Sequence, residues 1–86
     1  MRREEQIRKE ILLQLYASRP LALSAERLER DATKEGYDYT KREIARELQF
    51  LIDEEVVIRV ETAGTAVVLF RIGPAGVRLF EQERLG

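Results

Sequence analysis

Thr40, Lys41, Arg42, Arg46 and Gln49 fall within one ten-residue stretch and carry side chains suited to binding a nucleic acid. An arginine fork can bond guanine at two atoms, and a glutamine amide can do the same for adenine. The hydroxyls of Ser24 and Thr40, with the backbone amides beside them, are suited to phosphate oxygens. The charge balance is narrow. From Thr40 to Phe50 there are three basic and two acidic residues, and Asp53, Glu54 and Glu55 follow at once. A solvated helix face, or a surface for another partner, is the competing reading. Arg2, Arg3, Arg8 and Lys9 form a second basic group. They read either as an arm along a phosphate backbone or as a solvated terminus.

Other chemistries lack their residues. The 86-residue chain has no Cys and no His, which removes disulfides, thiol nucleophiles, Cys/His zinc sites and His-dependent triads. Glu4/Glu5 and Asp53/Glu54/Glu55 are sequence neighbours, so each set spreads around its helix and does not converge. The five Gly are scattered at turns and ends, and none builds a phosphate-cradling loop. No enzyme activity and no cofactor are expected. Fifteen basic against sixteen acidic residues exclude a strongly basic, histone-like binder. No apolar run reaches the roughly 18 residues of a membrane span, and the charged start lacks a secretory core. A cytoplasmic chain without membrane contact, folded as one domain over residues 1–86, is expected.

The elements that must position these residues follow from periodicity. Ile7, Ile11 and Leu15 predict a helix from Glu4 to Ser18, stopped by Pro20. Leu21–Leu23 is a short apolar link with the potential for one strand pairing. Ser24 caps a second helix with a seam of Ala25, Leu28 and Ala32, and Gly36 ends it. Thr40-Lys41-Arg42-Glu43 is a capping box, with Tyr39 and Ile44 placed as a hydrophobic staple. Ile44, Ala45, Leu48, Leu51 and Ile52 then form one apolar face, with Phe50 on the opposite side.

The period next changes to alternation. Val56–Thr62 and Ala66–Ile72 predict a hairpin around Gly64. Matching apolar partners pairs Val60 with Val68, Ile58 with Phe70 and Val56 with Ile72. That register places Val57, Val67 and Leu69 together on an outer face that needs a cover, either the last helix or a second subunit, which makes it a candidate interface for a homodimer. Pro74 opens a last helix reaching about Arg84.

The order of three helices, hairpin and closing helix resembles the winged helix-turn-helix family, an α+β fold. Arg42-Glu43-Ile44-Ala45-Arg46-Glu47-Leu48-Gln49-Phe50-Leu51 is similar to that family's recognition helix. Val56-Val57-Ile58-Arg59 is similar to the start of its wing, and Arg71-Ile72-Gly73-Pro74-Ala75-Gly76 to the turn that leaves it. More faintly, IRKEILLQLY and ELQFLIDEEVV are similar to segments of small winged-helix proteins of Mu-like prophages. Two places depart from the family pattern. Glu55 stands where the family usually has Gly between recognition helix and wing. The wing tip, Thr62-Ala63-Gly64-Thr65, has none of the basic residues that touch phosphate elsewhere in the family. The resemblance implies a transcription regulator that binds duplex DNA, commonly as a dimer. A winged-helix module that binds protein and never touches DNA is the alternative.

Overall fold

The computed structural model describes residues 2–85, with side chains described through residue 83. The order is α1 (Arg3–Ala17), α2 (Ala25–Lys34), α3 (Lys41–Asp53), β1 (Val57–Glu61), β2 (Val68–Ile72) and α4 (Pro74–Leu85). This is an α+β, winged-helix-like fold with a C-terminal helix. Ile7, Ile11 and Leu15 of α1 meet Leu28 and Ala32 of α2 and Ile44, Leu48 and Leu51 of α3 in one core. None of these helices is long enough to be stable alone in water, so the shared apolar stripe holds them.

The caps fall where the sequence places them. Ser24 Oγ accepts the Arg27 N–H and Thr40 Oγ1 accepts the Glu43 N–H. Glu43 Oε1 in turn accepts the Thr40 N–H at 3.0 Å, closing the capping box. Tyr39 and Ile44, the two staple positions, are both buried in the core. At the end of α2 the Gly36 N–H bonds the Thr33 carbonyl and the Tyr37 N–H bonds the Ala32 carbonyl, with Gly36 at φ 95. These are the paired bonds of a Schellman stop.

Helix α3 ends in the same motif. The Glu55 N–H bonds the Ile52 carbonyl and the Val56 N–H bonds the Leu51 carbonyl. Here the left-handed position is held by a glutamate, Glu55 at φ 64. A non-Gly residue in this region carries a penalty of about 1–2 kcal/mol. Glu55→Gly removes that strain and also a negative charge from the helix C-terminus, where the dipole disfavours it. Greater chain freedom in the unfolded state offsets about 0.4–1 kcal/mol of the gain. The variant is expected to be more stable by about 1 kcal/mol, a rise in Tm of roughly 4–8 °C for a chain of this size. Calorimetry reads it directly, and a lower Tm would show that the Glu55 side chain does more than occupy the turn.

The hairpin register corrects the sequence expectation. Val57 pairs with Ile72, Arg59 with Phe70 and Glu61 with Val68, one position from the expected match. Apolar matching around Gly64 assumed a symmetric turn. The turn is instead Thr62–Thr65, with Gly64 at φ 81, and Ala66 and Val67 are additional residues on one side only. The core decides the register, because it takes Val57 and Ile72 as an opposed, buried pair.

Val57, Val67 and Leu69 therefore do not form an outer patch. Val57 is 2% exposed and belongs to the core of the single chain. Leu69 lies on the other face with Val60, its direct partner, and Val67 precedes β2 altogether. The second edge of β2 is used as well. Leu23 exchanges two backbone hydrogen bonds of 2.8 Å with Phe70, so the link after α1 supplies the one strand pairing expected of it. Ala45, expected on the apolar face of α3, is exposed, and Glu47 is buried in that helix instead.

Candidate nucleic-acid interface

Arg42, Arg46, Gln49 and Asp53 recur at i, i+4, i+7 and i+11, so they share one side of α3. All four are exposed, as are Lys41 and Ala45 beside them. Ala45 is small, so the middle of this face leaves the helix backbone close to whatever lies against it. The face is divided in charge. Lys41 and Arg42 stand at the N-terminal end, where the helix dipole is positive. Asp53, Glu54 and Glu55 gather at the other end. A polyanion is therefore favoured only at the first two turns, the part of a recognition helix that meets base edges.

Two of the expected readers are held inside the chain. The Gln49 amide donates to Asp53 Oδ1 at 2.9 Å. Such an exposed i, i+4 pair is worth only about 0.2–0.5 kcal/mol, so a base edge can displace it. Arg46 Nε–H donates to Glu47 Oε2 at 3.1 Å, and Arg8 Nε–H donates to Glu47 Oε1 at 2.7 Å. Glu47 is 2% exposed, and both its oxygens are satisfied by these two arginines. Arg46 itself remains largely exposed, so Glu47 steers one end of its guanidinium and leaves the rest open. Lys41 and Arg42 make no ion pair among the described residues.

Ser24 and Thr40 stand at the first turns of α2 and α3. Each hydroxyl oxygen accepts an amide, which leaves the hydroxyl proton to donate outward. The hairpin tip, residues 62–65, presents no charge, so it offers no cation to phosphate.

The second basic group is split: Arg2 and Lys9 are exposed and form no ion pair among the described residues, whereas Arg3 and Arg8 are engaged by the fold. Arg3 Nε–H donates to Glu43 Oε2 at 2.6 Å, and its Nη2 reaches Asp38 Oδ1 at 3.1 Å. Arg8 lies over the Phe50 ring, 3.7 Å from its centroid. Both arginines thus tie α1 to α3, and nothing in the sequence joins positions so distant. The one available signal was an arginine next to the core residue Ile7 and a glutamate between Ile44 and Leu48.

The Arg3 guanidinium beside Glu43, together with the Thr40 N–H, holds the Glu43 carboxyl down from 4.5 to about 2. A depressed carboxylate contributes stability that is complete above its unfolded value and lost as pH falls through its folded one. This contribution is therefore present above about pH 4.5 and disappears toward pH 2. In Arg3→Met the main cause is gone, and the Glu43 titration should move upward while staying below the ordinary range through Thr40. Carboxyl chemical shifts against pH measure it; an unmoved midpoint would mean that Arg3 does not hold Glu43 in solution.

Among the described residues no helix is long and apolar enough to cross a membrane, and no group of three or more His, Cys, Asp or Glu is placed to hold a metal ion. No protein-family model matches the chain, and a search of curated proteins finds no match.

Proposed function

We propose that this chain is a winged helix-turn-helix protein that binds duplex DNA through the first two turns of α3 and regulates transcription. The observation that carries the reading is the exposed set Lys41, Arg42, Arg46 and Gln49 around Ala45, on a helix whose start is fixed by a complete capping box. In this reading Arg42 and Arg46 contact base edges, Gln49 exchanges Asp53 for a base, and Thr40, Ser24 and Lys41 contact phosphates. The acidic end of α3 turns away from the duplex, and the uncharged hairpin tip makes no phosphate contact.

The test is a salt titration of binding to random-sequence duplex DNA. On random sequence no base is read, so Lys41, Arg42 and Arg46 all rest against phosphates, and three such contacts give a slope of log K against log salt of roughly −3. No binding at low salt would sink the reading and favour the protein-binding alternative.

A further inference from the structure

Helices α1 and α4 and the C-terminal half of α3 enclose a groove of about 620 Å³. Its floor is the buried Leu12, Leu51 and Val56. Its walls are apolar side chains left in water: Leu13 at 47% exposure, Phe50 at 40% and Leu79 at 39%. Three large apolar residues converging on one concavity mark a binding surface, whereas singly scattered ones would need no explanation.

The rim says what the surface takes. Glu5 from α1, Glu83 from α4 and Glu54 just past the end of α3 border the groove, and none of them forms an ion pair among the described residues. Among the described residues two cations share the border. Arg8 is already engaged by Glu47 and the Phe50 ring, which leaves Lys9 alone against three carboxylates. Glu54 also caps the C-terminus of α3, where the helix dipole adds negative potential. Such a rim disfavours a polyanion, which separates the groove from the proposed DNA face.

We propose that this groove is the docking site for an amphipathic α-helix of a partner protein, apolar on one face and flanked by Lys or Arg. The walls are helices throughout, so the groove offers no open sheet edge to an extended peptide, whereas an apolar helix face fits between them. A second copy of this chain is the poorer occupant. Rim on rim would set the three carboxylates of each copy against those of the other, with one free lysine apiece.

The probe is a peptide of about 14 residues, roughly 21 Å of helix. It has leucines at i, i+3, i+4 and i+7 and lysines elsewhere; a control carries Glu for every Lys. Isotope-labelled protein is titrated with each peptide, without DNA. The Lys peptide should bind, with amide shifts at Leu13, Phe50 and Leu79, and the Glu peptide should bind at least about tenfold more weakly. Leu13→Gln/Leu79→Gln, at exposed positions, should lower affinity about tenfold while the fold persists by circular dichroism. Glu5→Gln/Glu54→Gln/Glu83→Gln leaves the apolar walls intact and should abolish the preference for Lys. The proposal is overturned by shifts that map elsewhere, by absence of binding, or by a charge preference that survives the triple variant. It is also overturned if the wild type sediments as a dimer that Leu13→Gln/Leu79→Gln dissociates, since a second copy would then fill the groove.

Discussion

Arg42→Ala/Arg46→Ala is expected to lose thirtyfold or more of its affinity for duplex DNA while melting close to the parent chain. A good bidentate contact to a base is worth about 1–3 kcal/mol, so two lost contacts amount to about 2–6 kcal/mol. The small effect on stability follows from the surroundings of each residue. Arg42 is exposed and makes no ion pair among the described residues, and exposed substitutions of this kind stay within about 0.5 kcal/mol. Arg46 is one of two partners of the buried Glu47; its loss leaves Arg8 in place at 2.7 Å, so Glu47 is not stranded. Arg78→Ala, at an exposed position of α4, removes one positive charge away from α3 and should change affinity little. Anisotropy with labelled DNA, alongside thermal melts, separates the two effects. Equal affinity in the double variant and the parent would remove α3 from the interface and leave the groove as the functional surface.

Gly76→Ala is expected to destabilise the fold by about 3 kcal/mol, opposite in sign to what helix propensity alone predicts. Gly76 lies inside α4, where Ala would ordinarily gain about 1 kcal/mol. A Cβ at Gly76, however, would collide with the Val56 carbonyl oxygen and stand 2.7 Å from Ile72 Cγ1. Neither is the free end of a flexible side chain. The Val56 carbonyl already accepts the Gly73 N–H at 3.0 Å, and Ile72 is buried against Val57. The first turn of α4 must therefore lift from the sheet, with a fall in Tm of roughly 15 °C. Denaturant melts should show a lower midpoint at an unchanged slope. A midpoint that rises would mean that α4 does not sit on Val56 in solution. Since α4 forms one wall of the groove, Gly76→Ala should also weaken the Lys peptide.

The contacts of α4 show why its placement was illegible in advance. Tyr16 O–H donates to Glu81 Oε2 at 2.9 Å, and the Tyr16 and Phe80 ring centroids lie 4.3 Å apart. These residues are more than sixty positions apart, and each alone reads as an ordinary amphipathic position. The same holds for Arg3 with Glu43 and Arg8 with Glu47. The basic residues at the start of the chain read as a phosphate-binding arm or a solvated terminus, and the fold instead sets Arg3 and Arg8 against acids of α3.

What the sequence determined by itself is local. Thr40 and Glu43 are three residues apart, so the capping box was legible without knowledge of the rest of the chain. Ser24 as a cap and Gly36 as a stop were equally readable, because each depends on backbone geometry within a few residues. The left-handed place of Glu55 came from the family resemblance, and the link Leu21–Leu23 showed only a potential for pairing, whose partner Phe70 the fold supplied. The three apolar stripes then forced the helices together. Tertiary structure alone decided the rest. Apolar residues occupy both faces of the hairpin, so alternation admits more than one register. Only the demand of the core for Val57 opposite Ile72 selects among them. Glu47 is charged, and helical spacing gave it no place inside. Its burial became affordable only once α1 brought Arg8 within 2.7 Å. The groove, finally, is made of side chains from three helices, and a concavity between elements has no signature in any one of them.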